Sequence, residues 1–161
     1  PWLIVGLFGA ASVSFLMSRF ERALSEDLSL AFFLPAIVYM SDAVGTQTET
    51  MIVRNMATKR IRFAVYLVKE FFLGLALGVI FGILLGGFAF VWLHDSKVAL
   101  SVGLAMFANI LVAPLIALAI PTFIRHAHKD PALGAGPFTT IIQDAISVVI
   151  YFMIATAIIF H

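Results

Sequence analysis

Five stretches of the 161-residue chain are apolar and approach the roughly 20 residues that cross a bilayer core. They run about 2–17, 30–56, 71–92, 98–124 and 137–160, and short polar connections separate them. The third is the cleanest: about 22 residues rising 1.5 Å each reach roughly 33 Å. Within it Gly74, Gly78, Gly82 and Gly86 recur every four residues, so one face is a small-residue seam suited to close helix packing. Gly6, Gly9, Ala10 and Ser14 give the first span a similar face, and Pro114 and Pro121 predict a kink in the fourth.

The second and fifth spans carry polar positions at helical spacing. In the fifth, Gly134 and Gly136 precede Pro137, which is read as the first helical residue, where its missing donor is not needed. Thr140, Asp144, Ser147 and Tyr151 then follow at intervals of four, three and four, which predicts one shared face. Counted from Pro137, Asp144 lies roughly 10 Å inside the helix, too deep for its short side chain to reach water along the surface. In the second span Asp42, Thr46 and Glu49 share a face, with Ser41 and Gly45 beside it. Pro35 and Gly45 are expected to weaken that helix locally, freeing backbone carbonyls as possible ligands.

Composition makes the spans membrane spans. The chain is 62% hydrophobic and 12% charged, with a mean hydropathy of +1.08, against about 45–50% apolar and about 25% charged in soluble domains. It contains no cysteine, which excludes disulfides, thiolate metal sites and cysteine nucleophiles. Arg54, Lys59, Arg60, Arg62, Lys69, Arg125 and Lys129 fall on one side of the five spans, and Arg19, Arg22 and Lys97 on the other. The positive-inside rule then puts the amino terminus in the cytoplasm and the carboxyl terminus outside the plasma membrane. Glu21, Glu26, Asp27 and Asp95 fall on the outer side, where they either concentrate cations at a mouth or are ordinary solvated loop charges. The start at Pro1 reads as a domain of a longer chain; residues 1–161 form a single membrane domain with no soluble regulatory domain.

An ionised carboxylate in hydrocarbon requires a partner or hydration, which makes Asp144 a functional candidate by default. Asp42, Asp144 and Glu49 have no basic residue at matching depth, so the missing positive charge is most simply a cation. Protonation and a bond to a neighbouring helix is the bland alternative for Asp144. Carboxylate, hydroxyl and backbone oxygens suit hard ions: Mg²⁺, Ca²⁺ or Mn²⁺, with Co²⁺ a further possibility. The candidate ligands are Asp144, Asp42, Glu49, Thr140, Thr46, Gly45 and Ser147. A site with few acids and many hydroxyls fits a partly hydrated ion, which a fully desolvating cage would hold too tightly to conduct. His94, His126, His128 and His161 fall at or beyond span ends. Five helices are few for a pathway, and a two-fold dimer would bring the polar faces of two copies to one axis.

The order of the spans, the second-span run FLPAIVYMSDAVGTQTETMIVRNMATKRI and the fifth-span entrance DPALGAGPFTTIIQDAISVVIYF resemble the membrane domain of MgtE-type magnesium transporters and channels. The resemblance covers nearly the whole chain. It is most specific at Pro35, Gly45, Gln47 and Arg54, and at Asp130-Pro131, Gly136-Pro137, Thr140, Asp144 and Tyr151. It implies an all-α integral membrane homodimer of five transmembrane helices per chain, with a central pore lined by the second and fifth. It also implies hydrated Mg²⁺ held at Asp144, and cytoplasmic regulatory domains that are separate or cut away. Asp42-Ala43 stands where bacterial relatives typically have Gly-Asn, adding a carboxylate per chain. Two readings compete with ion transport: an intramembrane aspartyl protease using Asp42 and Asp144, and a non-catalytic packing subunit built around the glycine seam. The protease lacks its Tyr-Asp and Gly-x-Gly-Asp runs here and gives Glu49 no role. The packing subunit leaves the polar faces unexplained.

Overall fold

Long apolar runs without breakers become helices because a membrane interior offers backbone amides no other partner. The computed structural model describes residues 2–58, 62–127 and 131–159. Its elements are α1 (Trp2–Ser18), α2 (Glu21–Glu26), α3 (Leu30–Thr58), α4 (Phe63–Leu93), α5 (Ser96–His126) and α6 (Pro131–Ile159), with no strand among the described residues. Four of these, α3 to α6, are long and apolar enough to cross a membrane. Helix α1 is a shorter apolar helix, its 17 residues reaching about 26 Å.

Two span boundaries move. Helix α4 begins at Phe63 rather than near 71, because Lys69 and Glu70 read as a boundary while Phe63 to Val68 are already apolar. Glu70 lies within the helix, 3% exposed, and accepts a hydrogen bond from Thr48 Oγ1 of α3 at 3.0 Å. Helix α6 begins at Pro131, so Pro137 is internal and the proline suited to a first turn is Pro131. Pro35 and Gly45 both lie within one continuous helix α3, in which Pro35 leaves the Ala31 carbonyl without its helical donor. Lys59, Arg60, His128, Lys129, Asp130, Phe160 and His161 lie outside the described residues.

The helices alternate in direction, and polar groups at their ends fix the alternation. At the α4–α5 turn His94 adopts a left-handed conformation (φ 54°), and Asp95 caps α5 by accepting from the amides of Lys97 at 2.7 Å and Val98 at 3.1 Å. Arg125, in the last turn of α5, donates to the Met56 carbonyl at 2.9 Å, satisfying an orphan acceptor at the end of α3. Lys97 donates to the Ile159 carbonyl at 3.4 Å, which joins the end of α6 to the start of α5.

The glycine seam packs as its spacing predicts. A Cβ on Gly78 would stand 2.9 Å from the Phe107 carbonyl oxygen, and one on Gly82 2.8 Å from that of Gly103. Pro114 leaves the Ile110 carbonyl without its helical donor, and that carbonyl faces Gly74, where a Cβ would stand 3.1 Å away. Helix α5 is the centre of the bundle, with Val102, Ala105, Met106, Ile110, Ala113 and Ala117 buried. Outward-facing residues such as Phe8, Ile83 and Val91 are about 70% exposed, giving the apolar surface that lipid requires.

Candidate cation site

Helices α3 and α6 meet along two adjacent rows. The inner row is buried: Ser41, Gly45 and Thr48 on α3 lie on the side of the helix turned to α6 and α4, and Thr139, Gln143 and Ser147 lie on α6. The outer row is more open: Asp42 and Glu49 are half-buried and Thr46 exposed on α3, while Asp144 is half-buried and Thr140 exposed on α6. Thr140 Oγ1 donates to Asp42 Oδ1 at 3.3 Å, tying the two helices directly at the acids. Glu49 reaches α6 near Gly136, its Oε1 lying 3.8 Å from where a Cβ on that glycine would stand.

Both principal acids sit near mid-helix. With α6 starting at Pro131, Asp144 is about 20 Å from that start rather than the roughly 10 Å counted from Pro137. Asp42 lies close to the middle of α3.

The face expected on α6 divides. Thr140 and Asp144 turn outward, but Ser147 and Tyr151 belong to the inner row. Ser147 Oγ donates to Ser41 Oγ at 3.1 Å, and the Tyr151 hydroxyl donates to the Leu30 carbonyl at 2.7 Å. Gly45 also faces inward, against the carboxamide of Gln143. The division follows from a helix-helix contact whose centre lies at 139, 143, 147 and 151, a strict four-residue row that the mixed spacing of the hydroxyls concealed. Among the described residues no three acids or histidines gather as a metal cage.

Several polar residues with a part in this architecture escaped the sequence reading. Gln143, 1% exposed, donates through Nε2 to Ser41 Oγ at 3.3 Å, and Asn109, 2% exposed, donates to the Ala105 carbonyl at 2.9 Å and the Ser147 carbonyl at 3.5 Å. Their signal was only that of polar residues in apolar spans. Thr46, Gln47, Thr50 and Arg54, with Met51, line a cavity of about 340 Å³ on the open side of α3. His126 contacts its own helix, Nδ1 lying 2.8 Å from the Thr122 carbonyl oxygen.

An apolar exterior, four membrane-length helices and carboxylates opposed at mid-helix define a multi-pass membrane protein with a polar face inside the bilayer. Residues 34–154 match the MgtE family, described as divalent cation transporters, and the chain belongs to that family. Its sequence is 35% identical to the magnesium transporter MgtE of Enterococcus faecalis over 159 residues, covering 97% of this chain and 35% of that protein. The magnesium transporter MgtE of Bacillus subtilis is 30% identical over 160 residues, with 98% and 36% covered, and that of Thermus thermophilus 27% over 157 residues, with 96% and 35% covered. The chain spans about a third of the length of these curated relatives.

Proposed function

We propose that the chain is the membrane part of a transporter that moves divalent cations, Mg²⁺ first among them, through a pore lined by the outer row of α3 and α6. The observation that carries this reading is the placement of Asp42 and Asp144 near mid-helix on one half-open surface, with Thr140 bridging to Asp42. Carboxylates placed on one face within a membrane are stabilised by a shared cation, and a site open on one side holds an ion that keeps much of its water. Mg²⁺ sheds water reluctantly and is held through one or two carboxylates, which suits this sparse set better than Ca²⁺ with its six to eight oxygen ligands. Glu49, Thr46 and Thr140 extend the polar lining along the path. Ser147 supports the same wall from behind.

The open side requires a cover. Thr46, Gln47 and Thr50 are exposed on a membrane-spanning helix, where contact with hydrocarbon is unfavourable. A second copy related by a two-fold axis covers that face and supplies the matching acids, completing a homodimeric pore. Helix α1 then serves as a fifth crossing. The exposed Arg54, Arg62, Lys69 and Arg125 mark the cytoplasmic end of the bundle, and Arg19, Arg22 and Lys97 the outer end, so the amino terminus is cytoplasmic. Membership of a divalent cation transporter family favours transport over intramembrane proteolysis and over a purely packing role.

The test is Mg²⁺ uptake into cells or liposomes by wild type and Asp144→Asn. Loss of uptake in the variant, with the protein still folded, is the expected result; undiminished uptake would remove the central residue from the mechanism.

A further inference from the structure

Each acid of the proposed pore follows directly on a buried polar residue. Asp42 comes after Ser41, and Asp144 after Gln143. Consecutive helical positions point about 100° apart, so the inner residue of each pair faces the other helix while the acid faces the open side. The inner pair is in contact: Gln143 Nε2 donates to Ser41 Oγ at 3.3 Å, and the same oxygen accepts from Ser147 Oγ at 3.1 Å. Gly45, one turn from Ser41, makes the room. A Cβ there would collide with the Gln143 carboxamide, oxygen first.

This contact is poorly suited to stability alone. Gln143 Oε1 is buried with no hydrogen-bond partner, in surroundings where an unmatched acceptor is destabilising. An apolar side chain of the same length would fill the slot beside Gly45 without leaving an atom unpaired. What the carboxamide supplies instead is direction. Its bond to Ser41 is broken by rotation or sliding of α6 on α3, as a buried polar residue fixes register between packed helices at some expense in stability. Any such slip displaces Asp144 relative to Asp42, since each is rigidly joined to its neighbour.

We propose that Gln143 is a positioning residue that sets the separation of Asp42 and Asp144 and thereby the discrimination between Mg²⁺ and larger divalent cations. The inference rests on the reading of those acids as the ion site. Mg²⁺ with its water demands a nearly fixed octahedral geometry, whereas Ca²⁺ accepts variable ligand numbers and distances. A fixed carboxylate spacing favours the former, and a loosened one admits the latter.

The experiment measures Mg²⁺ and Ca²⁺ flux through the full chain in liposomes, beside thermal stability, for wild type, Gln143→Met, Ser41→Ala and Asp144→Asn. Gln143→Met keeps side-chain length and removes the hydrogen bond; Ser41→Ala removes its acceptor. Both are expected to raise the Ca²⁺ to Mg²⁺ flux ratio by roughly fivefold through loss of geometric discrimination. Should Gln143→Met fail to fold, Ser41→Ala decides. If Asp144→Asn abolishes Mg²⁺ flux while the other variants keep the wild-type ratio, the positioning role is overturned and the pore stands. A proportional fall in both fluxes with lowered thermal stability shows a packing role only, and overturns it equally. Unchanged Mg²⁺ flux in Asp144→Asn overturns the pore and this inference with it.

Discussion

Within the polar set, neighbouring residues have opposite duties, and one position decides which. Asp144 turns to the open side while Gln143 is 1% exposed; Thr140 is exposed while Thr139 is 2% exposed. Tyr151 shows the same separation of site from support. Its buried hydroxyl donates to the Leu30 carbonyl at 2.7 Å, holding the start of α3 against α6 far from the acids along the helix. Tyr151→Phe is expected to lower stability by about 1 kcal/mol, in the range of a single hydrogen bond inside a membrane protein, and to leave ion selectivity unchanged. Thermal unfolding in detergent and a flux ratio in liposomes measure the two. Thr48→Val is more damaging. It deprives the buried Glu70 carboxylate of its donor and is expected to destabilise by about 1–3 kcal/mol; recovery of the melting temperature on adding Glu70→Gln identifies the lost bond as the cause.

At the level of helices the sequence was most legible where a period was strict. The four-residue glycine repeat of α4 predicted close helix packing, and the structure supplies the partner, α5. It also yields a paired test. Gly82→Ala brings a Cβ to 2.8 Å from the Gly103 carbonyl and is expected to destabilise by about 1–3 kcal/mol, as overpacking does. Gly87→Ala, with nothing within 4 Å, is expected to be neutral or stabilising by about 0.5–1 kcal/mol, and equal melting temperatures for the two variants would contradict the seam. Helix ends were less legible. Charge at Lys69 and Glu70 read as an exit from the membrane, yet Glu70 is buried beneath Thr48, a partner 22 positions earlier that local pattern could not disclose. Pro137 read as a helix start because prolines favour first turns, but Pro131 offers the same signal six residues sooner. Asp42 and Glu49 on α3 and Asp144 on α6 were legible as intramembrane acids, because charge in an apolar run stands out. The division of Ser147 and Gly45 from them was hidden, since it depends on which side of each helix meets the other.

For the molecule as a whole, the apolar surface is interrupted on α3 at the cavity lined by Thr46, Gln47, Thr50 and Arg54. If that interruption faces a second copy, a cysteine placed there meets its own counterpart. Residues 1–161 contain no native cysteine, so the test is clean. Thr46→Cys is expected to form a disulfide-linked dimer on mild oxidation in the membrane, and Ile83→Cys, 69% exposed on the lipid-like face, to remain monomeric on a non-reducing gel. Cross-linking of Ile83→Cys alone would move the axis to the opposite side of the bundle. The unbroken course of α6 gives the assembly a mechanical property. From Pro131 to Asp144 there is no loop, only about 20 Å of continuous helix. Pro137, six residues along, removes one backbone bond from that stretch, so a push applied at the Pro131 end reaches Asp144 through a loosened turn that can bend rather than through a rigid rod.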